Sequence, residues 1–233
     1  MALFFGNSYC NLCQSDGEQL KDELAAAYLG MASKGLSPPQ DAYYSARMPK
    51  STRIVKTVHN GSRSNDGLLS WFDVAGNNKN TDFETALHSA IYSRRPDVNS
   101  IFSVKSYYLF SAIQDGFLET VHAEAALILG DIPIINTEQL GQDNLVERIG
   151  NACVGEPLRP IRVIIIQRRG AIGLGACIHE SRAFIEILEE WAKYKALSNA
   201  FGGTKSVITL DGLRGVGARH ARAIKFGGRQ AAK

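Results

Sequence analysis

Cysteine is rare in this chain, which carries four: Cys10, Cys13, Cys153 and Cys177. That is too few for a disulfide-stapled scaffold and suits a reducing compartment. Cys10-x-x-Cys13 has the spacing of half a zinc site or a redox pair, and equally of an N-terminal pair with no function. Cys153 and Cys177 are isolated and fall in stretches that read as core or hairpin. Long apolar runs are missing, so no segment reaches the length of a bilayer-spanning helix. Met1–Phe5 is too short for a signal-peptide core and has no basic flank. Arginine is absent from the first 46 residues, which argues against a mitochondrial transit peptide. Together these absences predict a cytoplasmic chain with no membrane partner. Acidic residues thin out at the other end. Residues 203–233 hold seven Lys or Arg and one Asp, a net +6, which leaves −3 for the remainder of a chain whose total is +3.

What is present is enough apolar residue, 45%, to bury one sizeable core. Composition divides the chain into an irregular segment (1–15), a globular domain (16–202) and a basic, glycine-rich extension (203–233). Leu20, Leu24, Ala27, Tyr28 and Met31 make the stripe of an amphipathic helix, closed by Gly35 and Pro38-Pro39. Arg53–Thr57 and Leu68–Phe72 read as strands, joined through Asn60-Gly61 and Asp66-Gly67 turn signals. Helices are expected at 82–94, 106–114, 144–151 and from about His179 to Asn199, the last with Phe184, Ile185, Leu188, Trp191 and Ala192 on one face. Strands are expected at 100–104, 132–135, 161–167 and 171–175. Central strands with flanking helices predict a layered α/β/α domain.

The most informative stretch is Thr81–Ser106. Phe83, Leu87, Ala90 and Ile91 recur at helical spacing and predict a buried face. Glu84 and His88, four apart, share another face. Arg94-Arg95-Pro96-Asp97 stops the helix, because Pro96 biases Arg95 away from helical geometry. Ile101–Val104 then reads as a short buried strand. Helix, Arg-Pro-Asp turn and strand, in that order, resemble the class II aldolase/adducin family. The similarity continues through Ile161–Gln167, the Arg168-Arg169-Gly170 turn and the hairpin and helix beginning Ala171-Ile172-Gly173-Leu174-Gly175, covering roughly Leu20–Leu197. It implies a three-layer α/β/α domain with a central, mainly antiparallel sheet.

The resemblance also implies a zinc site, and its residues are replaced. The family places a Glu on this helix, where Glu84 stands. Its His-x-His pair falls on Ser103 and Lys105, and the His of its later His-Gly pair falls on Arg169. A serine hydroxyl is a poor zinc ligand, and protonated Lys and Arg have no lone pair to give. No metal and no cofactor are expected. The family's phosphate-binding segment corresponds to Ala42–Arg47, which keeps Ser45 and Arg47 as anion-binding candidates but puts Tyr43 where a small approach is wanted. Asp82-Phe83 replaces the Ser-Ser that precedes the family's Glu. Asn60-Gly61-Ser62-Arg63 looks like a second copy of the segment, but lies too close to Glu84 and reads as a turn.

Three functional expectations follow. The first is a non-catalytic family member that works by assembly or binding, with Lys105 and Arg169 either paired to Glu84 or forming a cationic anion pocket. The second is a metal-independent aldolase or lyase on a small sugar phosphate or carboxylate. There Glu84 would be the acid/base and Lys105 an electrophilic or Schiff-base group. The third concerns the extension. Leu210–Ile224, with its Gly215-Val216-Gly217 turn, resembles a helix-hairpin-helix element, so Arg214, Arg219, Arg222 and Lys225 are candidates for nucleic acid or another acidic partner. His122 reads as a hydrogen-bonded core histidine, and Arg168 as solvent-facing or pocket-facing. The family resemblance implies a homo-oligomer, typically a tetramer, with a larger assembly as the other option.

Overall fold

A computed structural model describes residues 17–36, 42–48, 51–58, 69–74, 82–113, 118–138, 141–156, 160–203, 208 and 212. Cys10, Cys13, the turn signals at 60–67, and Arg214, Arg219, Arg222 and Lys225 lie outside the described residues. In chain order the elements are α1 (Gly17–Ser33), β1 (Tyr43–Arg47), β2 (Arg53–Thr57), β3 (Leu69–Asp73), α2 (Phe83–Arg94), β4 (Ser100–Val104) and α3 (Tyr107–Ala112). They continue with α4 (Ala123–Leu129), β5 (Ile134–Ile135), α5 (Gln142–Ala152), β6 (Val163–Ile166), β7 (Gly170–Gly175) and α6 (Ile178–Ala200). One seven-stranded sheet runs β3-β2-β1-β4-β7-β6-β5, and only the β5–β6 pair is parallel.

The period of two along each strand sorts side chains to the two faces. Tyr44, Ala46, Val55, Phe102, Val104, Val163, Ile165 and Ala171 pack against α1, α3, α4 and α6 in one core. Ile54, Ile101, Ile164, Ile166, Ile172 and Leu174 pack against α2 and α5 in the other. Helix α1 buries Leu20, Leu24, Ala27, Tyr28 and Met31, the five stripe positions the periodicity marks. Helix α4 carries no strong sequence signal and was not expected. Among the described residues no helix is long and apolar enough to cross a membrane.

Helix α2 departs from the expected burial. Leu87 and Ile91 are buried, but the rest of its inward face is Thr85, His88 and Tyr92, while Phe83 and Ala90 are only half-buried. The reason is the sheet beneath. Tyr43, Ser45 and Ser103 present hydroxyls on this face, and a polar flank of the helix meets them. His88 does share a face with Glu84, as the spacing predicts, since both reach the Ser103 hydroxyl, but that face is turned inward rather than away from the core. His88 itself is fully buried.

The Arg94–Asp97 turn does more than stop the helix. Arg95 is buried and forks onto Asp97 at 2.8 and 2.6 Å, while its Nη1 donates to the carbonyls of Cys153 at 2.6 Å and Ile161 at 3.1 Å. It thereby ties the end of α2 to the end of α5 and the approach to β6. Arg95→Ala would strand two buried carbonyls. It is expected to cost about 3 kcal/mol, read as a fall of roughly 6–12 °C in Tm. A loss under about 1 kcal/mol in a thermal or urea melt would show that the turn holds without it.

Candidate functional site

The start of α2 is built around Asp82. As N-cap it accepts from the Thr85 N–H at 2.8 Å and from the Tyr43 hydroxyl at 3.1 Å on Oδ1. Its Oδ2 accepts from the Thr85 hydroxyl at 2.7 Å and from Lys56 Nζ at 3.0 Å. Four donors fill the four lone-pair sites of one carboxylate. Lys56 is equally committed, because it also donates to the Tyr43 hydroxyl at 2.6 Å and to Thr85 Oγ1. Burial opposes ionisation of Asp82, but the Thr85 and Lys56 hydrogen bonds hold its carboxyl well below the usual carboxylate range. Lys56 shares a strand face with Ile54. A lysine inside the Arg53–Thr57 strand pattern, on the face of an apolar neighbour, is the sequence signal that could have marked it.

A second network runs deeper. The Ser45 hydroxyl lies 2.7 Å from His88 Nδ1 and 2.9 Å from the Tyr92 hydroxyl, and His88 Nε2 lies 2.9 Å from the Ser103 hydroxyl. The Tyr43 ring meets the imidazole edge-on, centroids 5.2 Å apart. Burial and, less, the Lys56 charge push the His88 pKa down to about 3. The ring is neutral and uses both nitrogens inside the protein. Ser103 passes the network on to Glu84. Burial raises the Glu84 pKa, while Arg169, a hydrogen bond from Ser103 and Lys105 pull it back.

The structure thus brings Glu84, Ser103, Lys105 and Arg169 into one locality. Register does this: Ser103 pairs with Ile172, and Val104 with Ala171, so the turn before β7 returns beside the end of β4. Gly170 makes the approach close. A Cβ there would stand 2.0 Å from the Val104 carbonyl oxygen and 3.3 Å from Lys105 Cα. The Arg169 guanidinium stacks over the Phe83 ring at 4.2 Å, and no Glu84–Arg169 ion pair within 4.0 Å forms among the described residues. The Oε2 atom of Glu84 is buried and accepts no hydrogen bond. Lys105 is exposed.

The other candidates have different duties. Ser45 is fully buried in the His88 network. Arg47 is engaged by the backbone: its Nη2 donates to the carbonyls of Tyr92, Arg95 and Val98 at 3.1, 3.1 and 2.8 Å, and its guanidinium covers the Tyr92 ring. Both act as pins between β1 and α2, because the hydroxyls and carbonyls of α2 and its turn lie directly over them. Arg168 faces solvent and pairs with Glu138 at 3.0 Å. His122 caps α4 by accepting from the Ala125 N–H at 3.1 Å and meets Tyr194 edge-on, on the opposite side of the sheet from Glu84.

The class of protein follows from the fold and from a family match over most of the chain. The family model for the class II aldolase and adducin N-terminal domain matches residues 22–196, and the chain belongs to this family. It is 35% identical over 96 residues to methylthioribulose-1-phosphate dehydratase of Pseudomonas savastanoi pv. phaseolicola, a match spanning 38% of this chain and 46% of the dehydratase. It is 29% identical over 136 residues to human beta-adducin, spanning 54% of this chain and 17% of the adducin. The fold is that of L-fuculose-1-phosphate aldolase from Thermus thermophilus, with a TM-score of 0.64 at 15% identity, covering 80% of this chain and 98% of that one. The matched span is under half of the dehydratase's length.

The zinc that the family implies does not fit these residues. Of the four positions only Glu84 offers a strong donor, and two cations stand beside it. His88, the adjacent imidazole, has both nitrogens engaged. Among the described residues no three of His, Cys, Asp and Glu are grouped to hold a metal ion.

Proposed function

We propose that this chain is a binding or assembly subunit of the class II aldolase/adducin family that has given up zinc-dependent lyase chemistry. The observation that carries the reading is the replacement set: Ser103, Lys105 and Arg169 around Glu84, with the nearest histidine consumed by Ser45 and Ser103. A Lewis acid works by taking oxygen lone pairs from substrate, and here fixed cations take that ground without offering coordination. Self-association, or a place in a larger complex, fits a scaffold kept intact while its ligand set changed.

The test is direct. Purified protein is incubated with zinc and desalted, its metal content is measured, and L-fuculose 1-phosphate cleavage is assayed with and without chelator. The expected outcome is well below one zinc per chain and no zinc-dependent cleavage. One tightly held zinc per chain, with cleavage that chelator abolishes, would overturn the proposal. The rival reading is a metal-independent lyase with Glu84 as acid/base, favoured by the burial that raises the Glu84 carboxyl above its ordinary range. It requires cleavage that survives chelator, and its Schiff-base form requires borohydride trapping at Lys105.

A further inference from the structure

Glu84 and Arg169 are oppositely charged neighbours that do not pair. The guanidinium is held by Phe83, over whose ring it lies at 4.2 Å, and among the described residues it donates to no side chain or carbonyl. The carboxylate is held by its place on α2 and by the Ser103 hydroxyl, and its buried Oε2 accepts nothing. A structural ion pair closes its gap, because an unpaired buried carboxylate oxygen costs stability. Here each partner is fixed by a third group instead, so the Arg169 guanidinium and the buried Glu84 Oε2 stay unpaired within electrostatic reach of one another, with exposed Lys105 also in reach.

We propose that this locality is a ligand site for a small hydroxycarboxylic acid, its carboxylate taken by Arg169 and its hydroxyl donating to Glu84 Oε2. Arg suits a carboxylate because its fork can donate two parallel hydrogen bonds. Glu84 suits a hydroxyl because an ionised carboxylate only accepts. A phosphate ester is the poorer fit. The adjoining cationic cradle at the start of α2, made by Lys56, Thr85 and Tyr43, already holds the Asp82 carboxylate with all four of its lone-pair sites filled. A phosphate brought there would meet an anion with no free donor beside it.

The inference rests on the proposed loss of the metal site and names what the altered site takes. The probes are glycerate, propionate (carboxylate alone), glycerol (hydroxyls alone) and inorganic phosphate. Each is titrated by calorimetry or ligand-observed NMR into the whole chain in the presence of EDTA. Saturable glycerate binding is expected, with propionate weaker by about tenfold or more and no saturation by glycerol or phosphate. Arg169→Gln and Glu84→Gln should each weaken glycerate by about tenfold or more while the far-UV spectrum is unchanged. Absence of saturable glycerate binding would overturn the proposal, as would equal binding of propionate or phosphate. Unchanged glycerate affinity in the folded Arg169→Gln protein would also overturn it. These failures leave the non-zinc reading standing. Glycerate binding that requires added zinc and is lost in EDTA would sink both.

Discussion

Gly170→Ala is expected to lower stability by about 4 kcal/mol, a fall of roughly 8–16 °C in Tm. Gly170 takes φ 143°, a region that side-chain-bearing residues rarely enter. An added Cβ would also lie 2.0 Å from the Val104 carbonyl oxygen. That neighbour is backbone, so no rotamer change can relieve the clash, and the β4–β7 pairing must open at its end. Gly35→Ala is the control. Gly35 also has positive φ, 67°, but a Cβ there meets nothing within 4 Å, so only the backbone cost of about 1 kcal/mol is expected. If the two variants melt alike, the close approach that seats Arg169 beside Lys105 is not as described.

The second large effect is acid lability set by His88. Its pKa falls from the ordinary 6.5 to about 3 because burial, and then Lys56, disfavour the imidazolium. The sign follows from proton counting. Between pH 6.5 and about 3 the unfolded chain binds a proton here and the native chain does not, so stability falls as pH falls. The stabilisation is fully present above 6.5 and is lost on descending to about 3. At about 1.4 kcal/mol per pH unit, the window amounts to about 5 kcal/mol. His88→Asn keeps a neutral hydrogen-bonding side chain and removes the titration. Urea melts at several pH values should show the wild-type stability falling more steeply with acid than the variant's, by about 1.4 kcal/mol per unit. Parallel acid limbs would mean that His88 takes up its proton in the folded state. The slope is the readout, so a lower starting stability in the variant does not confuse it.

Much of the architecture was legible along the chain. Apolar spacing located α1, β2, the two central strands and α6, because each element buries one face and its period shows. The order of motifs from Thr81 to Gly175 carried the family. The resemblance also sets Ser103, Lys105 and Arg169 where the family's histidines are expected, a reading that needs only residue identity at matched positions. The polar interior was not. Tyr43 stands out along the chain only as an obstruction, and neither Lys56 nor Thr85 carries a motif that singles it out. Their meeting on Asp82 depends on the pairing of β1 with β2 and on the seat of α2 across both. The inward turn of the face that His88 shares with Glu84 is not readable from periodicity, which supposes an apolar sheet beneath the helix.

The amino-acid order by itself determined the fold class, because burial period is a property of residues at fixed spacings. Only the tertiary structure decided which charges pair. Arg47 is taken up by carbonyls, Arg95 by Asp97 and carbonyls, Lys56 by Asp82, and Glu84 and Arg169 form no ion pair among the described residues. Hydrogen bonds and ion pairs act over about 3 Å, and distances of that size are fixed by strand register and helix seating rather than by position along the chain.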